Sequence, residues 1–123
     1  MKTKAIVVAL GVALTATPVL AQSFDQLSQD LADQTAAGGS RLDDAQWQFR
    51  DGNVREGCDF LEQARQHYDQ AWHDTQAMVD MVNGSDDSQD DKDKAMEMLN
   101  ENQQQLSSIA DQMSDIYHSN CVQ

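Results

Sequence analysis

The residues of this 123-residue chain that could do chemistry are few: two cysteines, one acidic loop, a handful of methionines and three histidines. Cys58 and Cys121 are the only thiols, and neither lies in a C-x-x-C, the spacing of redox-active and zinc-knuckle pairs. His118 near Cys121 would allow a zinc site with both thiolates. In an oxidising compartment a disulfide between Cys58 and Cys121 is the simpler reading.

The stretch "DDSQDDKDKAME" places Asp86, Ser88 and Asp90 at positions one, three and five of a calcium loop, with Glu97 at position twelve. Asp91 stands where the sharp-turn glycine belongs, Asp93 replaces the eighth-position aliphatic, and Lys94 occupies a ligand position. Asp86, Asp90 and Glu97 are therefore the candidate cation ligands. The competing and preferred reading makes Ser88 the cap of a helix, with acids in its first turn facing the positive end of the macrodipole.

Met78, Met81, Met96 and Met98 gather on either side of the same loop, and thioethers suit Cu(I) outside the cytoplasm. Methionine is also the usual filler of irregular cores, which is the preferred role here. His67 and His73 are six apart and fall on different faces of a helix, while Asp69 and His73 are spaced for a surface pair. No G-x-S-x-G, H-E-x-x-H, phosphate-binding glycine loop or nucleophile beside a base appears. The expectation is a chain that is not an enzyme and carries no cofactor.

The elements that must position these residues read as helices. Proline is absent after Pro18, and Gln, Ala, Asp, Glu, Leu and Met dominate. From Val54 the positions 54, 57, 61, 64, 68, 71, 75, 78 and 82 are apolar or small, a heptad seam running to "NGSDDSQDD". A second seam follows at Ala95, Leu99, Asn102, Leu106, Ile109, Met113 and Ile116. Two helices joined by a short polar loop run antiparallel. Facing positions then share a constant sum, and 177 sets every seam position against another. It places Cys58 opposite Ser119, two residues from Cys121. Sums seven higher or lower also align the seams, but they carry Cys121 a turn or more away from its partner, so the disulfide selects the register. Thr75 faces Asn102 as a polar layer, unless both reach solvent at the rim.

Ahead of this hairpin, "SFDQLSQDLADQTAAGGS" reads as a helix capped at Ser23, carrying Phe24, Leu27 and Leu31, and ended by Gly38 and Gly39. A second short helix from Ser40 carries Leu42, Ala45 and Phe49 up to the turn at Asp51–Asn53. Together they offer Phe24, Leu27, Leu31, Leu42, Trp47 and Phe49 to cover the flanks of the long helix: Phe60, His67 and Met81 on one edge, Trp72 and Val79 on another. The stretch "AQWQFRDGNVREGCDFLEQA" resembles one tetratricopeptide unit at Ala45, Gly52, Gly57, Leu61 and Ala64. It occurs once and lacks the closing proline, and a repeat fold needs stacked neighbours. It is read as an αα-hairpin. The expected fold is all-α, a small helical bundle built on a long antiparallel hairpin (about 54–83 and 88–119), covered by two short N-terminal helices and closed by one disulfide.

Residues 1–21 read as a cleaved signal peptide: Lys2 and Lys4, an apolar run from Ala5 to Leu14, then Val19 and Ala21 ahead of a cut before Gln22. The apolar run is too short and too interrupted for a membrane span. The remainder, 22–123, is one helical domain of a periplasmic or secreted protein. Loss of the two signal lysines takes the net charge from −13 to −15. Such a surface repels nucleic acid and anionic membranes and attracts cations and basic proteins. The expected function is an accessory or binding module for another exported protein, a basic one by preference. The alternative is a metal-cation-binding protein using the acidic or Met-rich tip. An exposed heptad edge also leaves self-association open.

Overall fold

The computed structural model describes residues 18–122, with side chains from Ser23 onward. Most of the expected signal segment, and with it the proposed cleavage, lies outside the described side chains. Three helices follow in order: α1 (Pro18–Arg50), α2 (Val54–Asn83) and α3 (Gln89–Asn120). There is no strand among the described residues.

The first difference from expectation is α1, which is one helix and not two. Its described part runs from Pro18, so Ser23, expected as a cap, lies inside the helix. It then passes through Gly38 and Gly39 without a break. The cause is packing. A Cβ on Gly38 would stand 2.9 Å from Cε2 of Tyr68, so glycine here is the groove that admits the tyrosine ring. Burial at Phe24, Leu31, Thr35, Gly38, Leu42 and Ala45 keeps one heptad phase across the glycine pair.

α1 ends where the turn signal stands. Gly52 adopts φ +85, its N–H donates to Phe49 O at 3.1 Å, and Asn53 N–H reaches back to Gln48 O at 2.8 Å. Those two bonds form a Schellman closure, which only a glycine tolerates without strain at the left-handed position. The αα-hairpin read from the sequence is therefore α1–α2.

Gly57 lies under Phe49 and Gly38 under Tyr68, and both pairs have position numbers summing to 106. That register sets Ala45 against Leu61, Leu42 against Ala64, Thr35 against Ala71, Leu31 against Thr75 and Phe24 against Val82. Large meets small along most of the seam, which is how two helices interdigitate at close range.

α2 is the shared helix. Its buried residues are Gly57, Leu61, Ala64, Tyr68, Ala71, Asp74, Thr75, Met78 and Val82, and those of α3 are Ala95, Leu99, Asn102, Leu106, Ile109 and Met113. These are the expected seams, with Val54 left exposed at the open end and Asp74 added. Thr75 and Asn102 are both buried, so the rim alternative is excluded. Thr75 Oγ1 donates to Ala71 O at 2.9 Å within its own helix, which satisfies the hydroxyl locally. Cys58 and Cys121 are disulfide-bonded with Cα atoms 5.9 Å apart, inside the ordinary range, and hold the far end of α3 to the start of α2.

Candidate functional site

The acidic tip is built as a cap. Ser88 Oγ accepts from Asp91 N–H at 3.3 Å, and Asp90 and Asp91 occupy the first turn of α3. Asp86, Asp90 and Glu97 are all exposed. Among the described residues no group of three or more His, Cys, Asp or Glu side chains is placed to hold a metal ion, so these three do not converge. Helix geometry explains it: once residues 89 onward are helical, Asp90 and Glu97 are two turns apart, about 10 Å along the axis. Three of the four methionines at this tip pack against the core. Met78 is fully buried, and Met81 and Met96 lie partly buried against the same core.

The histidines are dispersed. His67 Nδ1 donates to Gln34 Oε1 of α1 at 2.8 Å, and His118 Nδ1 donates to Ser114 O at 2.8 Å. The expected Asp69–His73 pair does not form, because Arg65 takes Asp69 at 2.6 Å. A guanidinium four residues before the carboxylate reaches it without strain and holds it by a charge-assisted bond. Trp47, expected to cover the bundle, is instead 59% exposed, with the Arg50 guanidinium 4.8 Å from its ring centroid.

A polar strip crosses the α1–α2 interface. Gln34 Nε2 donates to Asp30 at 3.4 Å, His67 donates to Gln34, and Gln70 Nε2 donates to Asp74 Oδ1 at 3.1 Å. Asp74 is the buried member. Burial and the neighbouring Asp30 push its carboxyl up to about 6. Of the strip's three bonds only His67–Gln34 joins α1 to α2; the other two lie within single helices.

The other flank of α2 carries the feature that sequence reasoning missed. A groove of about 760 Å³ runs between α2 and α3, and no α1 residue lines it. Its floor is the seam itself, Leu61, Tyr68, Leu106 and Met113, and Cys58 closes one end. Its walls are a second stripe on each helix: Glu62, Arg65, Asp69 and Trp72 on α2, and Ser107, Ala110, Ser114 and Tyr117 on α3. Both stripes step by three, four and three. Trp72 is 36% and Tyr117 49% exposed, two large aromatic faces on one groove. Sequence reasoning had set Trp72 on a separate edge, but the charged and hydroxylated members of these stripes hid the groove.

Comparison of the chain with protein-family models, with curated proteins and with solved structures finds no match. No helix of the described residues is long and apolar enough to cross a membrane. The disulfide fits a protein living outside the reducing cytoplasm.

Proposed function

We propose that this is an exported binding module, periplasmic or secreted, that acts by engaging another protein, a basic one by preference. The observation that carries the reading is the open groove with Trp72 and Tyr117 at its lip. Aromatic side chains beside a mostly apolar trough are what protein-recognition surfaces are made of. The net charge of −13 on the whole chain supports a cationic partner, since it raises the encounter rate with basic surfaces and disfavours acidic ones. The signal-like N-terminus and the disulfide support the compartment.

Capture on the immobilised mature protein from a periplasmic extract tests this reading. A basic protein retained at low salt and released at high salt is the expected result. Retention of nothing, or only of acidic proteins, would remove it.

A further inference from the structure

α1 covers one flank of the α2–α3 pair and leaves the other open. The trough between two antiparallel helices is the seat that a further helix takes in a bundle, where 3-4 spaced stripes on both neighbours receive its apolar side chains. The stripes Glu62–Trp72 and Ser107–Tyr117 have that spacing, and the seam residues Leu61, Leu106 and Met113 supply an apolar floor. From Cys58 to Trp72 the groove follows α2 for about 21 Å, the length of about four helical turns.

The charge at the rim selects among helices. Arg65 is the one cation in the wall, and it is already held by Glu62, Nε to Oε2 at 3.0 Å, and by Asp69 at 2.6 Å. Two carboxylates against one guanidinium leave the α2 rim net negative, and the α3 wall of Ser107, Ala110, Ser114 and Tyr117 carries no charge to offset it. A second copy of this chain brings another −13 against these acids, so self-association through the groove is opposed. An amphipathic helix with Lys or Arg flanking its apolar stripe meets acid along α2 and no cation along α3.

Resting on the reading of the protein as a binding module, we propose that the α2–α3 groove is the docking site, and that its occupant is a basic amphipathic helix of about four turns presented by the partner protein. Trp72 and Tyr117 grip the apolar stripe, and Glu62 and Asp69 flank it with acid.

The test uses the exported, disulfide-intact protein carrying Trp47→Phe, which leaves Trp72 as its sole indole. It is titrated with a synthetic 18-residue amphipathic helix of Leu and Lys, and separately with the matching Leu and Glu helix. Saturable one-to-one binding of the Leu–Lys peptide with a blue shift of Trp72 emission is expected, and no shift with the Leu–Glu peptide. Ala110→Glu adds an acid while filling the trough, so it should weaken binding at least tenfold. Ser114→Lys at the exposed rim sets a cation against the lysines of the peptide and should weaken it in the same direction, and circular dichroism checks that each variant is folded. Ala36→Glu puts the same charge on the exposed face of α1 and should leave affinity within twofold. Equal affinity of the Ala110→Glu and Ala36→Glu proteins would overturn the proposal by reducing the binding to general charge attraction. So would equal binding of both peptides, an unmoved Trp72 spectrum, or a dimer that Ala110→Glu dissolves. The two readings fail separately: an extract that yields no basic partner counts against the module, whereas a partner that binds Ala110→Glu as well as the native chain counts against the groove alone.

Discussion

Asp74 is 4% exposed, an unusual position for a carboxylate on a helix otherwise lined with small and apolar residues. Its Oδ1 accepts from Gln70, whereas Oδ2 has no donor to accept from and Asp30 stands beside it. Burial first, and Asp30 second, favour the protonated form, against weaker opposing pulls from Gln70 and His73. With a folded pKa of about 6 against an ordinary 3.8, the native state holds this proton more tightly than the unfolded chain does. The contribution to stability is therefore fully present below pH 3.8 and is lost as pH rises through about 6. A shift of that size corresponds to at most about 3 kcal/mol. Asp74→Asn keeps the bond from Gln70 and abolishes the titration. It should stabilise the protein by about 1–3 kcal/mol at pH 7.5 and match the native chain near pH 4. Urea unfolding at the two pH values reads this directly. An equal response of both proteins to pH would show that Asp74 is not the group responsible.

The two glycines of α1 offer a contrast at the same scale. A Cβ at Gly38 meets the buried Tyr68 ring at 2.9 Å, while one at Gly39 meets only the Tyr68 hydroxyl at 3.5 Å, an ordinary contact. Alanine gains about 1 kcal/mol over glycine inside a helix, against about 1–3 kcal/mol for overpacking a core. Gly39→Ala should then raise the melting temperature by a few degrees, and Gly38→Ala should lower it. A rise for both would mean that Tyr68 moves aside freely and that the glycine is not what seats it.

At the scale of elements, α2 and α3 were legible because their seams keep unbroken 3-4 steps, mostly of Leu, Ile, Met, Val, Tyr and Ala, with Gly57, Thr75 and Asn102 in phase. The cysteine spacing then removed the freedom of register that periodicity leaves. α1 was legible only in halves. Its seam passes through Thr35 and Gly38, neither of which reads as apolar, and a Gly-Gly pair is ordinarily a stop. The information needed to continue the helix lay 30 residues away in Tyr68. The groove was less legible still, since five of the eight residues in its two walls are Glu, Arg, Asp or Ser and belong to no hydrophobic pattern. α3 is joined to the bundle through α2, by the short loop at residues 84–88 and by the disulfide at the other end. Closing a loop of 63 residues stabilises by about 4 kcal/mol in the chain-entropy picture. Reduction should accordingly release α3 from its C-terminal end. Amide exchange should accelerate first between Leu106 and Asn120 and leave the α1–α2 hairpin protected. Uniform loss of protection across all three helices would show instead that the bundle unfolds as one unit without its staple.

Over the whole molecule the dominant fact is charge, with 21 acids against 8 bases and only three ion pairs among the described residues. All three are exposed pairs within single helices, each worth a fraction of a kcal/mol, so none ties one helix to another. Inter-helix cohesion rests on the apolar seams, the disulfide and the polar strip at Gln34 and His67, while the surface acids repel one another across a bundle only three helices wide. Screening should relieve that repulsion. Raising NaCl from 10 mM to 200 mM shortens the Debye length from about 30 Å to about 7 Å, and the melting temperature should climb by several degrees over that interval. The rise should then level off, because beyond it little unscreened repulsion remains. A continued steady climb to molar salt would assign the effect to enhanced apolar burial in place of charge screening. A flat response would mean that the acids are spaced too far apart to matter. The same acids weaken the isolated bundle and favour a cationic helix beside α2 and α3, so a bound Leu–Lys peptide should raise the melting temperature most at low salt, and its benefit should shrink over the range in which the free protein gains.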